Sequence, residues 1–152
     1  MAMDVWSRVF WLVPVLVVGC SGTRPTNLGV REGKLAPCPK SPNCVSTQST
    51  DPKHRMAPIH YTSSLEEARD RLEKILRAMP RTTIVKAEKD YIHAECRSRI
   101  FGFVDDVEFW FDDKDRVSQF RSASRVGYSD LGVNRKRMEK IREAFDKDRS
   151  GP

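Results

Sequence analysis

Apolar positions along the chain predict a helix, four strands and a second helix, in that order. The first helix occupies "SSLEEARDRLEKILRAMP", where Ser64 and Glu67 match a capping box and Pro80 ends the helix. Its apolar side chains recur with a helical period: Leu65, Ala68, Leu72, Ile75, Leu76 and Met79.

Two strand-like runs follow, "TTIVKAEKD" and "YIHAECRSRI", separated by a tight turn near Lys89 and Asp90. The second run alternates, with Ile92, Ala94, Cys96, Ser98 and Ile100 on one side and Tyr91, His93, Glu95, Arg97 and Arg99 on the other. In "DDVEFWFDD", Val107, Phe109 and Phe111 share one face, and Asp106, Glu108 and Trp110 share the opposite face. The fourth run is "RVSQFRSAS". Short turns between successive runs predict an antiparallel meander.

The last helix ends near Asp146 and carries an apolar stripe: Leu131, Met138, Ile141 and Phe145. If Asn134 caps it, the basic residues 135–137 fill the first turn, where the helix dipole disfavours cations. If Ser129 or Asp130 caps it, these residues move to the second turn, and side-chain chemistry favours this start. With both helices on the apolar face, the sequence predicts an α+β two-layer sandwich, a four-stranded antiparallel meander with two helices on one face.

The length and charge of the chain restrict its partners. The 152 residues suffice for one ordinary domain. The net charge of +6 favours phosphate, a carboxylate or an anionic membrane surface as a partner. Nucleic acid is not expected, because aromatic residues do not interleave with the basic ones.

The N-terminus indicates export. The apolar run 9–19 is too short to cross a bilayer and has the length of a signal-peptide core. It ends in "LVVGC", which resembles the bacterial lipobox, so we expect a signal peptide over 1–19 and acylation of Cys20. The alternatives are an ordinary cleaved signal or an uncleaved apolar tail. Ser21 follows the cysteine, and by resemblance to lipoprotein sorting this implies the outer membrane, facing the periplasm, if the source is a diderm bacterium.

Composition divides the remainder of the chain. Residues 20–36 are rich in Gly, Pro and Thr without an apolar period, which predicts a flexible tether. Residues 37–148 then form a single α+β domain.

The cysteines also agree with export. Cys38 and Cys44 flank "PKSP", whose prolines bend the backbone, and in an oxidising compartment a disulfide is expected. Their spacing is not that of a zinc ribbon, and we expect no metal or other cofactor. Cys96 fits a buried thiol, although pairing of Cys44 with Cys96 stays open.

The stretch "RSASRVGYSDLGVNRKR", residues 121–137, is the candidate functional segment. As a ligand site it would present guanidinium, hydroxyl and amide groups to an anion. The candidate ligand-binding residues are Arg121, Ser122, Ser124, Arg125, Ser129, Asp130, Asn134 and Arg135. As an internal lock, Arg121 and Arg125 would instead pair with Asp105, Asp106, Glu108 or Asp130.

The polar face of the sheet has two interpretations as well. It carries His93, Glu95, Asp106 and Glu108. They could form cross-strand ion pairs on a solvated surface. They could also line a groove roofed by "CPKSPNC".

Three stretches resemble one family. "CPKSPNCVS", "FGFVDDVEFWF" and "RSASRVGYSDLGVNRKRMEKIRE" resemble the uncharacterised family catalogued as domain of unknown function 1499, found in bacterial envelope proteins and in chloroplasts. The resemblance covers about Leu35 to Phe145 and implies a domain without an established activity. It implies that these residues occupy family-motif positions: Cys38, Asn43, Cys44, Asp105, Asp106, Glu108, Arg121, Ser122, Ser124, Arg125, Gly127, Asp130, Gly132, Asn134 and Arg137. Phe109 and Trp110 sit where the family varies.

These observations favour a non-catalytic lipoprotein domain that is tied to the membrane by its N-terminal lipid. It would bind an anionic group, such as a lipid headgroup, a phosphate or a cell-wall carboxylate, near residues 121–137. The first alternative is a structural envelope domain with an arginine lock. The second is a hydrolase using Ser124 or Ser129 with His93 and Asp106, although no G-x-S-x-G elbow is present. Asp105 and Asp106 point to opposite strand faces, which argues against a shared proton.

Overall fold

The structure, a computed structural model, describes residues 21–148. The signal peptide predicted over 1–19 and the acylation predicted at Cys20 lie outside these residues and stay predictions. No helix in the described part is long and apolar enough to cross a membrane.

The described residues form one six-stranded antiparallel sheet and two helices. The strands are β1 (Cys44–Ser46), β2 (Ile59–His60), β3 (Thr82–Ala87), β4 (Tyr91–Arg97), β5 (Val104–Asp112) and β6 (Val117–Ser124). The helices are α1 (Leu65–Ala78) and α2 (Val133–Asp148). The α+β class is confirmed, but the prediction of four strands is wrong, because β1 and β2 both pair with β6. Strands of two or three residues are too short to show an apolar alternation, and only their distant partner defines them.

The four predicted strands are adjacent in chain order, within the sheet order β1-β6-β5-β4-β3. Strand β4 ends at Arg97, so the alternation predicted through Ser98 and Ile100 stops early. The backbone N–H of Ser98 donates to the carbonyl of Phe103 and closes a hairpin, which leaves Ile100 82% exposed. The hairpin turns the chain because Gly102 adopts a φ of +67°.

Both helices contribute to one hydrophobic core with the apolar face of the sheet. The capping box of α1 is confirmed: the Ser64 hydroxyl accepts from the Glu67 N–H, and the Glu67 carboxylate accepts from the Ser64 N–H. The buried helical residues are Ala68, Leu72, Leu76, Met138, Ile141 and Phe145, and the buried sheet residues include Ile92, Ala94, Cys96, Val107, Phe109, Phe111 and Phe120.

Helix α2 begins at Val133, between the two predicted starts. The Asp130 carboxylate accepts from the N–H groups of Gly132 (3.0 Å) and Asn134 (2.7 Å), so it does supply a capping acceptor. Leu131 precedes the helix and is 87% exposed, so its predicted place on the apolar stripe is wrong. Arg135 lies in the first turn and donates to the carbonyls of residues 53 and 55.

The segment predicted as a tether makes contacts with the sheet. The guanidinium of Arg24 donates to Glu95 of β4, and the N–H of Gly29 donates to Glu108 of β5. Residues 21–36 therefore lie, in part, over the polar face, and the predicted flexibility of the tether stays a prediction.

Candidate functional site

The polar face of the sheet is buried rather than solvated. The exposed fractions of His93, Glu95, Asp106 and Glu108 are all below 8%. Contacts reach them from outside the strands through Arg24, Gly29 and Arg125, and none of these residues belongs to the "CPKSPNC" segment. A buried carboxylate needs partners that replace water, and each of these three carboxylates has them.

Arg125, just after β6, is the centre of the ion-pair network. Its Nε and Nη2 donate to the two carboxylate oxygens of Asp106 at 2.8 and 2.7 Å, and Nη2 also donates to Glu95 at 2.5 Å. His93 lies 2.8 Å from the same Asp106 carboxylate through Nε2. The bond to Asp106 raises the pKa of the Arg125 guanidinium, so this charge is permanent.

The two carboxylates are correspondingly acidic. Burial raises the pKa of Asp106, but the hydrogen bonds from Arg125 and His93 outweigh it and hold the pKa below its usual value. Burial also raises the pKa of Glu95, but the hydrogen bonds from Arg125 and Arg24 outweigh burial, so the pKa of Glu95 is lower than usual. Both groups are therefore ionised in the folded protein at neutral pH.

Glu108, fully buried in β5, forms the second part of the network. It accepts from the Tyr91 hydroxyl (2.8 Å) and from the Gly29 N–H (2.7 Å), and the guanidinium of Arg121 lies 3.4 Å away. Burial, reinforced by the charge of Glu108, raises the pKa of Tyr91, which keeps its hydroxyl protonated as a donor. The long distance to Arg121 makes that pair weaker than the bidentate pair at Arg125.

Asn134 joins the end of the sheet to α2. This buried side chain accepts from the Ser122 hydroxyl and donates to Ser124 (3.0 Å) and to the backbone carbonyl of Asn43 (3.2 Å). It also donates to Asp130 at 2.9 Å. Every donor and acceptor of the amide is used, so the amide joins three chain segments.

The predicted ligand-binding residues thus contact each other or other protein groups. Arg121, Ser122, Ser124, Arg125, Asp130 and Asn134 belong to the bonds described above, Arg135 bonds to backbone carbonyls, and the Ser129 hydroxyl accepts from the Leu131 N–H. None of them lines either of the two grooves, of about 560 and 580 Å³, that are described below. Their role in ligand binding stays a prediction.

The alternative catalytic triad, Ser124 or Ser129 with His93 and Asp106, is not assembled in the described residues. His93 and Asp106 contact each other, but Ser124 bonds to Asn134 and Ser129 lies on the surface. Asp105 and Asp106 do point to opposite faces, since Asp105 pairs with Arg137 of α2 at 2.5 Å. Within residues 21–148, no hydrogen bond joins His93 to a serine.

Cys38 and Cys44 form the predicted disulfide, with their Cα atoms 5.6 Å apart. Cys96 is free and buried, so the alternative pairing of Cys44 with Cys96 is wrong. Burial raises the pKa of the Cys96 thiol and keeps it protonated. This cysteine behaves as a small apolar side chain.

A groove of about 560 Å³ runs between the C-terminal end of α1, the β4–β5 hairpin and the first half of α2. We call it the helix groove. Its lining cations are Arg81, Arg97, Arg99, Lys136, Arg137 and Lys140, and its lining carboxylate is Asp105. Its apolar lining comprises Ile75, Met79, Val133, Ile141 and Ala144, beside Cys96. A groove lined by both cationic and apolar side chains is suited to a molecule with an anionic head and a hydrocarbon portion.

Several of these cations have no internal partner. Arg137 pairs with Asp105, whereas the side chains of Arg81, Arg99, Lys136 and Lys140 make no hydrogen bond or ion pair within residues 21–148. Unpaired cations grouped around one cleft raise the local positive potential.

Sequence reasoning missed this groove. One signal was present: residues 133, 136, 137, 140, 141 and 144 follow helical spacing and mix basic with apolar side chains on one stripe. The contribution of residues 81 and 97–99 to the groove could not be predicted from the sequence, because only the pairing of the strands brings those segments beside α2.

A second groove of about 580 Å³ lies beside the disulfide. Its lining includes Arg31, Lys34, Lys40, His54 and Asp51, so its positive charge is lower.

The comparisons with known proteins give one match. A family model described as "Protein of unknown function (DUF1499)" matches residues 34–145. The chain belongs to the DUF1499 family. No curated protein and no solved structure matches it. The helix groove lies wholly within the part that matches the DUF1499 family, whereas the groove beside the disulfide uses Asn27, Gly29 and Arg31 from outside it.

Proposed function

We propose that this DUF1499 domain is a non-catalytic binding module of the cell envelope that holds an anionic amphiphile in the helix groove. The ligand class is a phosphate or carboxylate head joined to a hydrocarbon portion. The observation that carries the proposal is that six cations, one carboxylate and several apolar side chains line the same groove.

The cation chemistry supports an anionic head. Lys136 and Lys140 stand one helical turn apart on α2 and are exposed, so both ammonium groups are free to approach one anion. Arg99 and Arg97 bring guanidinium groups from the hairpin on the other side of the cleft. Opposing cations from two elements can clamp a phosphate or carboxylate.

The internal network supports the same assignment by elimination. Arg121 and Arg125 face carboxylates inside the domain and would leave those acids unpaired if they turned to a ligand. Arg137 is likewise bonded to Asp105, so anion binding near residues 121–137 falls to Lys136 and to the groove cations Arg81, Arg99 and Lys140, which are unpaired within residues 21–148.

Binding can be tested by calorimetry with the purified full chain. The probes are dihexanoyl phosphatidate and decanoate, both below their micelle concentrations, with dihexanoyl phosphatidylcholine as the zwitterionic control. We expect the anionic probes to bind and the zwitterionic one to bind at least about tenfold more weakly. The phosphate and carboxylate probes separate a phospholipid source from a fatty-acid source.

Matched variants assign the site. Lys136→Gln with Lys140→Gln should weaken binding about tenfold or more, because both head-group contacts are lost. Lys89→Gln with Lys114→Gln removes the same charge at turns away from the groove and should leave affinity unchanged. Equal losses in the two double variants would show a nonspecific charge effect, and absence of binding by the native chain would refute the proposal.

We also propose that the protein is a lipoprotein. The supporting observation is "LVVGC" at residues 16–20 after an apolar run. Metabolic labelling with palmitate should mark the native chain and not a Cys20→Ser variant. Fractionation of a diderm host should place the native chain in the outer membrane, and an unlabelled cytosolic protein would contradict this.

A further inference from the structure

One end of the sheet gathers the β4–β5 hairpin and the β6–α2 loop. Arg97 at the end of β4 pairs with Val104, and Asp105 pairs with Ser124 at the end of β6. The hairpin 98–103 and the loop 125–132 therefore leave the sheet side by side. We call this the hairpin end of the domain.

The hairpin end exposes large apolar side chains that the core does not use. The most exposed are Ile100 (82%), Phe101 (67%), Tyr128 (76%) and Leu131 (87%). Phe103 and Val133 are also exposed. In a water-soluble domain such a concentration of exposed apolar groups at one end indicates an interaction surface.

Local contacts hold these side chains in place. The Ser98 hydroxyl accepts from the Phe103 N–H, and the rings of Phe101 and Phe103 lie 5.5 Å apart. The aromatic rings therefore contact each other at the tip rather than folding back onto the core.

Leu131 gives an independent indication. Its φ of +54° is in the left-handed region, which is unfavourable for leucine. The Asp130 carboxylate accepts from the Gly132 and Asn134 N–H groups, which both follow Leu131, and so keeps the turn in this conformation. The turn therefore holds an apolar side chain outside the core at the expense of backbone strain, which is typical of residues with a role in binding.

The charges identify the kind of partner. The hairpin strand end and tip, "RSRIFGF", carry Arg97 and Arg99 and no acid. The turns at the opposite end of the sheet have a net negative charge, because five acids (Glu88, Asp90, Asp112, Asp113 and Asp115) stand there with three cations (Lys89, Lys114 and Arg116). An anionic surface therefore attracts the hairpin end and repels the other.

The chain also enters the domain at this end. Gly22 lies so close to residues 125 and 126 that a Cβ atom on it would be 2.9 Å from Arg125 Cβ and 2.9 Å from Val126 Cγ1. Arg24 then continues to Glu95 on the polar face. The first described residues therefore lie beside the loop that carries the exposed Tyr128 and Leu131.

We propose that the hairpin end is a membrane-docking surface that inserts the apolar side chains of residues 100–103 and 128–133 into the interface of an anionic bilayer. Aromatic and aliphatic side chains beside arginines are the combination that favours this interface. The surface would hold the domain against the membrane in one orientation and place the mouth of the helix groove, which shares Arg97, Arg99 and Val133 with this end, close to the lipid. This inference goes beyond ligand binding and does not depend on the groove being occupied.

The test measures the depth of single sites in the purified full chain on vesicles. Phe101→Cys and, as the matched control, Lys89→Cys each carry an environment-sensitive nitrobenzoxadiazole label in a Cys20→Ser background, so that no other reactive thiol is present: Cys96 is buried and Cys38 is bonded to Cys44. Vesicles contain phosphatidylcholine alone or with phosphatidylglycerol, each with a lipid-borne quencher. The label at 101 should shift to the blue and be quenched at least about twofold more strongly than the label at 89, chiefly with phosphatidylglycerol.

One further variant completes the test. Arg99→Glu in the Phe101→Cys background should reduce quenching on phosphatidylglycerol vesicles, because Arg99 has no internal partner within residues 21–148 to lose. Equal quenching at 89 and 101, or no quenching at 101, would overturn the docking surface. Because no bilayer is used in the amphiphile titrations above, the two proposals can fail separately.

Discussion

Replacement of Arg125 by Gln tests the energetic role of the buried network. The substitution removes the charge and all three bonds to Asp106 and Glu95. Asp106 is 1% exposed and would keep only its contact with His93, so one buried carboxylate loses its permanent counter-ion. Removing one partner of a buried pair typically costs about 3–5 kcal/mol.

This cost is a large part of the stability of a small domain, which is about 5–15 kcal/mol. With a urea m-value of about 2 kcal/mol per M, the unfolding midpoint at pH 7 should fall by about 2 M with little change in m. Arg24→Gln is the matched control. Its guanidinium bonds to the same Glu95 but is 52% exposed, so we expect a loss below about 1 kcal/mol.

A double variant separates charge from packing. Asp106→Asn added to Arg125→Gln neutralises both partners, and we expect it to recover part of the lost stability, since no unpaired charge remains. A loss below about 1 kcal/mol for Arg125→Gln would refute our account of the network. If Arg125→Gln does not fold, the double variant decides the question, and a double variant that also fails to fold would refute our account of the network.

Three further predictions follow from the described contacts. The pKa values of Asp106 and Glu95 are lower in the folded state than in the unfolded chain, so the unfolded chain binds more protons in acid. The stability that these two groups contribute should therefore be lost as the pH falls below about 4 and through the folded pKa values. Urea midpoints measured from pH 7 to 2 check this, and Asp106→Asn should flatten the pH profile. Reduction of the Cys38–Cys44 disulfide should cost about 2 kcal/mol because the closed loop is short, and a midpoint insensitive to reductant in the native chain would contradict it. Asn134→Ala should destabilise the domain by about 1–3 kcal/mol by leaving buried polar groups unpaired, measured by urea unfolding, whereas a neutral effect would show that water replaces the amide.

Local patterns predicted the regular elements well. The capping box at Ser64 and the alternation around Val107 depend on residues close in sequence, and both are present as expected. The disulfide was also predictable, because the two cysteines are only 6 residues apart. The strands β1 and β2 were missed because their definition depends on pairing with β6, far along the chain.

The sequence by itself determined which face of β4 and of β5 is apolar and that the segment 121–137 is rich in polar side chains, because both follow from residue type and short spacing. Only the tertiary structure decided which of those cations are free. Arg125 and Lys136 are both cations of the same segment, but Arg125 bonds to Asp106 and Glu95 inside the domain, whereas Lys136 is exposed beside the helix groove and makes no ion pair within residues 21–148. Long-range pairing sets the partner of each charge, and the partner decides whether that charge stabilises the fold or remains available to a ligand.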